Sequence, residues 1–188
     1  MRLFVAIDLP DEVKAALARA QARLRDDAPR ADVRWTPPRG LHLTLRFLGE
    51  VGEAAVPGVI ATLTAAASGH PAVELAATGV GVFPQPTRPR VLWAGIEGAL
   101  AGLAADIEGG LVALGHPQER RPFSAHVTLG RVRRPVALAA LNRAIAGLGR
   151  PEFGAWTARE VVLYRSHQRP TGSVYEALAQ VPLSAPCP

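Results

Sequence analysis

The chain has 188 residues, of which 48% are apolar, enough for one sizeable domain or two small lobes with a packed core that needs no disulfide staples. Twenty-one basic against sixteen acidic side chains leave a formal charge of +5, which suits a phosphate-bearing partner, and every basic residue except Lys14 is an arginine. No run reaches the roughly 18 apolar residues of a membrane span, the opening MRLFVAIDLP does not read as a secretion signal, and the one cysteine, Cys187, sits in a Pro-rich tail. A membrane-embedded protein, a disulfide scaffold and a thiolate metal site are therefore excluded, and the expected location is the cytoplasm.

In chain order, RLFVAIDL reads as a buried strand. Pro10 then opens a helix at DEVKAALARAQARLRDD, where Val13, Leu17, Ala20 and Leu24 recur at helical spacing. VRWTPPRG reads as a loop by its Pro and Gly content, LHLTLRFLGEV as a strand, VPGVIATLTAAAS as a helix and AVELAATGVGVF as a strand. From Arg90 the order starts again: RVLWAGIEG is a strand, LAGLAADIEGGLVALG a helix, HPQERRPFS a loop and AHVTLGRV a strand. A helix in RPVALAALNRAIAGLG, one strand in FGAWTAREVVLYRS and a last strand in SVYEALAQVPL complete the chain.

The two halves match in pattern, with Val5 lying 37 residues before His42 and Trp93 lying 33 before His126. Two copies of roughly ninety residues are too few and too long for a solenoid, so the expectation is two lobes related by an approximate two-fold, with equivalent strands facing each other. Strand alternation puts Leu41, Leu43 and Leu45 on one side and His42 and Thr44 on the other. The same parity groups His126 with Thr128, opposite Val127 and Leu129. Two histidines and two threonines then converge on one cleft.

Such a set fits in-line displacement at phosphorus. One neutral imidazole takes a proton from water while a charged one gives a proton to the departing oxygen, and the threonine hydroxyls bond the non-bridging oxygens. A lone histidine in a strand is ordinarily structural, but two at equivalent points of a repeat are not. A metal site is disfavoured, since no Asp or Glu neighbours either histidine and HxH, HD and HExxH are absent. Neither GxSxG nor a usable cysteine supports a nucleophile scheme, and no cofactor is implied. His70 and His116 fall in Pro and Gly contexts and read as surface residues, while His167, in YRSHQRPTGS, is placed on the surface with a position overhanging the cleft as the alternative.

With RLFVAIDLP, VRWTPPRGLHLTLRFLGEV, FPQPTRPRVLWAG and RPFSAHVTLGRV in place, the whole chain resembles the 2H phosphoesterase superfamily. Within it, the chain is most similar to the bacterial and archaeal RNA 2′,3′-cyclic phosphodiesterase branch, historically described as 2′-5′ RNA ligases. The resemblance implies an α+β fold of two pseudo-symmetric lobes, with antiparallel sheets facing a central cleft and helices outside. It implies one domain made of two repeats, about 1–89 and 90–188. It further implies metal-independent hydrolysis of 2′,3′-cyclic phosphate ends of RNA or nucleotides to 2′-phosphates, with no obligate protein partner. His42 is then the proton donor, His126 the proton acceptor, and Thr44, Thr128 and Arg131 the phosphate ligands. Phe47, at the place in the first motif that Arg131 occupies in the second, and Trp35, in the loop before it, are the candidates for base contact, with packing against the core the alternative for each. Phe47 and Arg131 have the wrong parity for an unbroken strand and reach the cleft only through a bulge. Ala125 stands where relatives often have proline, which touches loop rigidity rather than chemistry.

Three other functions compete. ATP-driven ligation is disfavoured because GxxxxGK[ST] is absent and the one lysine lies on a helix, whereas ATP-independent 2′-5′ joining is the reverse of the same hydrolysis. A non-catalytic RNA-end binder does not require two titrating groups. A related phosphodiesterase acting on a non-RNA cyclic phosphate fits the same motifs.

Overall fold

Pro10 presets the backbone angle of a first helical turn, and Asp11 and Glu12 complement the helix dipole there, so the chain leaves strand β1 (Arg2–Asp8) directly into helix α1 (Asp11–Asp27). The computed structural model describes residues 1–169 and 172–184; Cys187 lies outside the described residues. Strand β2 (Asp32–Trp35) and a 3₁₀ turn at Pro38–Gly40 precede β3 (His42–Glu50), followed by α2 (Val56–Ser68) and β4 (Val73–Phe83). The second half runs β5 (Val91–Glu97), α3 (Ala101–Ala113), β6 (His126–Arg134), α4 (Leu138–Leu148), β7 (Glu152–Ala158), β8 (Glu160–Arg169) and β9 (Gly172–Pro182).

All strand pairs are antiparallel, in the order β7-β4-β5-β6-β3-β1-β8-β9, with β2 paired to β6. One lobe is β3-β1-β8-β9 and the other β6-β5-β4-β7. Each lobe therefore borrows from the other half of the sequence: β4 pairs with β5 and β7, while β8 pairs with β1. The helices follow the same exchange, α2 and α3 packing beneath the first lobe and α1 and α4 beneath the second. The halves of the sequence are interlocked rather than set side by side.

The lobes meet edge to edge where Leu43 pairs with Val127, so the histidine strands are neighbours in one sheet rather than strands set across a gap. Both residues are fully buried in a single core that unites the helices with the inner face of the sheet, including Leu3, Val5, Leu92 and Leu163. Truncating Leu43 to alanine removes contacts worth about 2–5 kcal/mol. Three local expectations change. Residues 32–35 form a strand, held by long-range pairing to β6. The single strand expected over 153–166 is two, β7 and β8, which join different lobes on either side of Arg159. Residues 134–137 end β6 and turn, Ala137 taking a positive φ of 53° before α4 begins.

Candidate active site

Alternation places the side chains as the sequence requires: Leu43, Leu45, Val127 and Leu129 are buried in the core, while His42, Thr44, His126 and Thr128 are half-buried on the opposite face. The Leu43–Val127 pairing sets His42 opposite Thr128 and Thr44 opposite His126. The imidazoles occupy one diagonal of this square and the hydroxyls the other, with backbone separations across a diagonal of about 7–8 Å. A tetrahedral phosphate placed between them meets an imidazole on each of two opposite sides.

Each ring is held the same way. His42 Nδ1 lies 2.8 Å from the Gly40 carbonyl and His126 Nδ1 2.7 Å from the Ser124 carbonyl, two residues upstream in both cases. A carbonyl only accepts, so each Nδ1 carries the hydrogen and donates it. Nε2 is left for the cleft, as an acceptor when the ring is neutral and a donor when it is charged.

Their surroundings differ. His42 packs against Phe4, ring centroids 4.8 Å apart, and meets the edge of Tyr175 at 5.1 Å. Burial pushes its imidazole below the ordinary histidine range; the Gly40 carbonyl and the Asp8 carboxylate pull it up, and Lys14 and His126 add to the downward push. Asp8 is the cross-strand partner of His42, and its carboxylate accepts the Tyr164 hydroxyl at 2.8 and 2.9 Å. Burial and then that carboxylate push the Tyr164 hydroxyl upward, so it stays a donor. Asp8, Lys14, Arg39, His42 and Tyr164 line a cavity of about 220 Å³. In the other lobe the partner of His126 is Gly95, and its aromatic neighbour is Phe83 at 5.2 Å.

Both strands contain the bulge that Phe47 and Arg131 need. Between the Ala6–Thr44 and Phe4–Phe47 pairs, β3 carries an extra residue, and between Trp93–Thr128 and Val91–Arg131, β6 does the same. Phe47 thus shares a face with Thr44 and Phe4, its ring 5.9 Å from that of Phe4 and 56% exposed, and Arg131 shares a face with Thr128. Arg46, turned inward by the first bulge, pairs with Glu108 of α3 and donates to the carbonyls of Phe47 and Pro117. Trp35 takes the inner face, packed against the core with the Arg25 guanidinium over its ring at 5.6 Å. Covering the core occupies it there.

Sequence reading singled out neither Asp8, Tyr164 and Tyr175 nor Arg34 and Arg39. Asp8 lies in the quoted RLFVAIDLP, where alternation with Phe4 and Ala6 gives it the histidine face; the tyrosines arrive through β8 and β9, whose placement beside β1 no local pattern announces. His70 bonds Asp106 of α3, and His167 on β8 bonds Glu176 on β9, both at 2.7 Å. Among the described residues, no three of His, Cys, Asp and Glu gather where they could hold a metal ion, and no helix is long and apolar enough to cross a membrane.

The model of the LigT like Phosphoesterase family matches the chain twice, over residues 7–93 and 94–175. The RNA 2′,3′-cyclic phosphodiesterase of Methanothermobacter thermautotrophicus is 32% identical over 93% of this chain and 95% of its own length. Among solved structures, TT0787 of Thermus thermophilus is similar with a TM-score of 0.81 at 34% identity, covering 98% of this chain and 99% of that one. The structure of E. coli LigT complexed with 3′-AMP is similar with a TM-score of 0.77 at 28% identity over 97% of each chain.

Proposed function

The chain belongs to the LigT-like phosphoesterase family, and from that premise we propose that it hydrolyses the 2′,3′-cyclic phosphate ends of RNA or nucleotides to 2′-phosphates, using His42 and His126 as acid and base without a metal ion. The observation that carries the proposal is the square of alternating imidazoles and hydroxyls, with both Nε2 atoms free for the cleft. Its support in relatives is the phosphodiesterase name of the Methanothermobacter protein and the nucleotide complex of E. coli LigT.

Water attacks phosphorus as His126 Nε2 takes its proton. The P–O3′ bond breaks on the far side, and O3′ takes the proton from His42 Nε2, leaving a 2′-phosphate and a free 3′ hydroxyl. Thr44 and Thr128 donate to the non-bridging oxygens, where charge is held through the transition state. Arg131 adds a charge-assisted contact, and Phe47 offers an exposed ring for a base. Burial works against a charged His42, so the acid role falls to it through Asp8, its cross-strand partner, and through the anionic substrate itself. His126 faces Gly95 instead, a cross-strand partner without a side chain.

The test is incubation of an RNA ending in a 2′,3′-cyclic phosphate with the protein and EDTA, with chromatographic identification of the product. The expected product is the 2′-phosphate at an undiminished rate. A 3′-phosphate, or a rate abolished by EDTA and restored by a divalent ion, overturns the assignment.

A further inference from the structure

The rings that pack against the two histidines come from different strands. At the first corner Phe4 lies on β1, the neighbouring strand, with its ring centroid 4.8 Å from that of His42. The equivalent place in the second lobe is Val91 of β5, since Phe4 pairs with Phe47 as Val91 pairs with Arg131. The ring that meets His126 belongs instead to Phe83, one strand further out on β4, at 5.2 Å and 84°. Register sets Phe83 level with Val91 and His126 level with Gly95, so the two rings approach along a diagonal of the sheet. Trp93 lies between those levels on β5, its ring 5.0 Å from that of Phe83 and tilted by 31°.

Glycine clears the place that this indole takes. Trp93 pairs with Gly81 on one side and with Thr128 on the other, and it leans over Gly81. A Cβ at Gly81 would stand 2.6 and 2.8 Å from Trp93 Cη2 and Cε2, and nearer still to Cζ2. At Gly95, the partner of His126, a Cβ would stand 3.5 Å from Trp93 Cζ3. The indole Nε1 is buried with no acceptor among the described residues. Burying an N–H without a partner costs stability, and such a cost without a compensating bond marks a functional position.

We propose that Phe83, supported by Trp93 and by the space over Gly81, is the positioning residue for His126 and fixes the angle at which its Nε2 enters the cleft. The inference rests on the hydrolytic reading above and adds to it a row of rings that supports one of the two imidazoles. The Ser124 carbonyl holds one ring atom, Nδ1, at 2.7 Å, which leaves the imidazole free to rock about that bond. Perpendicular packing against Phe83 is a favoured aromatic geometry and supplies a second point of support.

The test measures kcat and KM for a nucleoside 2′,3′-cyclic phosphate in the parent protein, Phe83→Leu, Gly81→Ala and the double variant Gly81→Ala with Trp93→Phe. Gly81→Ala touches neither histidine, but its methyl displaces the indole and, through it, Phe83. Both single variants should lose kcat by about tenfold with KM nearly unchanged, the scale of a slightly misplaced reacting group. The double variant should regain most of the loss, because phenylalanine lacks the indole atoms that the methyl meets. Phe83→Leu adds no volume and keeps the test open should Gly81→Ala not fold. An unchanged kcat in Phe83→Leu overturns the proposal, and so does a rise confined to KM, which would make Phe83 a substrate contact. Nitrogen NMR of labelled histidine rings reads the same effect without turnover. The His126 signal, identified by its loss in His126→Ala, should lose part of its Nδ1–H character in Phe83→Leu while that of His42 stays. A protein that hydrolyses no cyclic phosphate but shows this change keeps the positioning role and loses the reaction. A His126 signal indifferent to Phe83 overturns the positioning role and leaves the reaction standing.

Discussion

The two histidine corners share a scaffold and differ in chemistry. On both sides a ring is tied through Nδ1 to the carbonyl two residues upstream, a threonine follows two residues on, and a bulge re-aims the fifth residue after the histidine. Across the pseudo-two-fold, however, Asp8 corresponds to Gly95, Phe47 to Arg131 and Arg46 to Gly130. The first corner is closed, aromatic and supplied with a carboxylate, while the second is open and cationic. Repetition explains how two imidazoles come to stand diagonally on one face of the sheet, and divergence explains how their surroundings can differ. A perfectly symmetric cleft would bind a phosphate but leave the direction of proton flow undecided.

The comparison breaks most sharply when either histidine is removed. His42→Ala and His126→Ala should each lower kcat by roughly 10²- to 10⁴-fold, about 3–5 kcal/mol of barrier, because one imidazole cannot serve both sides of phosphorus. The double variant should be far less impaired than the product of the single effects. Near-normal turnover by either single variant sinks the paired mechanism, provided circular dichroism shows the fold intact.

Stability separates the lobes next. Beneath the first bulge lies a charged link, Arg46 to Glu108, with side chains 11% and 23% exposed. Beneath the second, Gln21 donates to the carbonyls of Thr36 and Leu129 at 2.8 Å each. Glu108→Ala strands a largely buried guanidinium and should cost about 2–3 kcal/mol, below the range for fully enclosed pairs because Glu108 is partly open. Gln21→Ala leaves two neutral carbonyls and should cost about 1–2 kcal/mol. Chemical denaturation of both variants checks the order, and the reverse order would show that the charged link contributes little. In binding, Arg131→Ala should raise KM by about tenfold, the scale of one charge-assisted bond, and Phe47→Ala by less. Equal effects would mean that the two corners touch the substrate alike.

Much of this was legible in the sequence because it rests on period-two alternation. Leu43, Leu45, Val127 and Leu129 facing in, with His42, Thr44, His126 and Thr128 facing out, follows from spacing alone. Phe47 and Arg131 required bulges that parity could demand but not locate; the register supplies them. What spacing cannot show is which strand lies beside which. Residues 32–35 carry too few residues and too much neighbouring proline to announce a strand, and they become one only against β6. The alternating run from Phe153 to Ser166 has no Gly or Pro at Arg159 to mark where the chain passes from one lobe to the other, so it reads as one strand. Tyr164, Tyr175 and Arg34 come to the cleft through those same pairings, which is why local reading passed over them.

The finest probe of the asymmetry is Asp8→Asn, which alters charge at one corner and little else. The amide oxygen can still accept the Tyr164 hydroxyl, so the strand pairing should persist. Besides Asp8, the groups facing His42 are the Gly40 carbonyl, Lys14, Arg39, His126, Tyr164 and the Tyr175 ring. Removing the carboxylate leaves burial, Lys14 and His126 opposed chiefly by the carbonyl, so His42 must lose its proton at lower pH than in the parent protein. The sign of the kinetic effect then depends on its role. If His42 is the acid, activity requires it charged, and the alkaline limb of the kcat/KM profile moves to lower pH while the acid limb stays near its place. If His42 is the base, the acid limb moves down instead, and activity at low pH rises. Lys14→Met should shift the same limb in the opposite direction. Because the histidines influence each other, the limbs are macroscopic constants of the pair, and the comparison is between whole profiles rather than single assigned values. A downward shift of the alkaline limb, with kcat/KM at neutral pH reduced only a few-fold, is the outcome the two corners lead us to expect; a shift confined to the acid limb reverses the roles of His42 and His126 while leaving the square of groups in place.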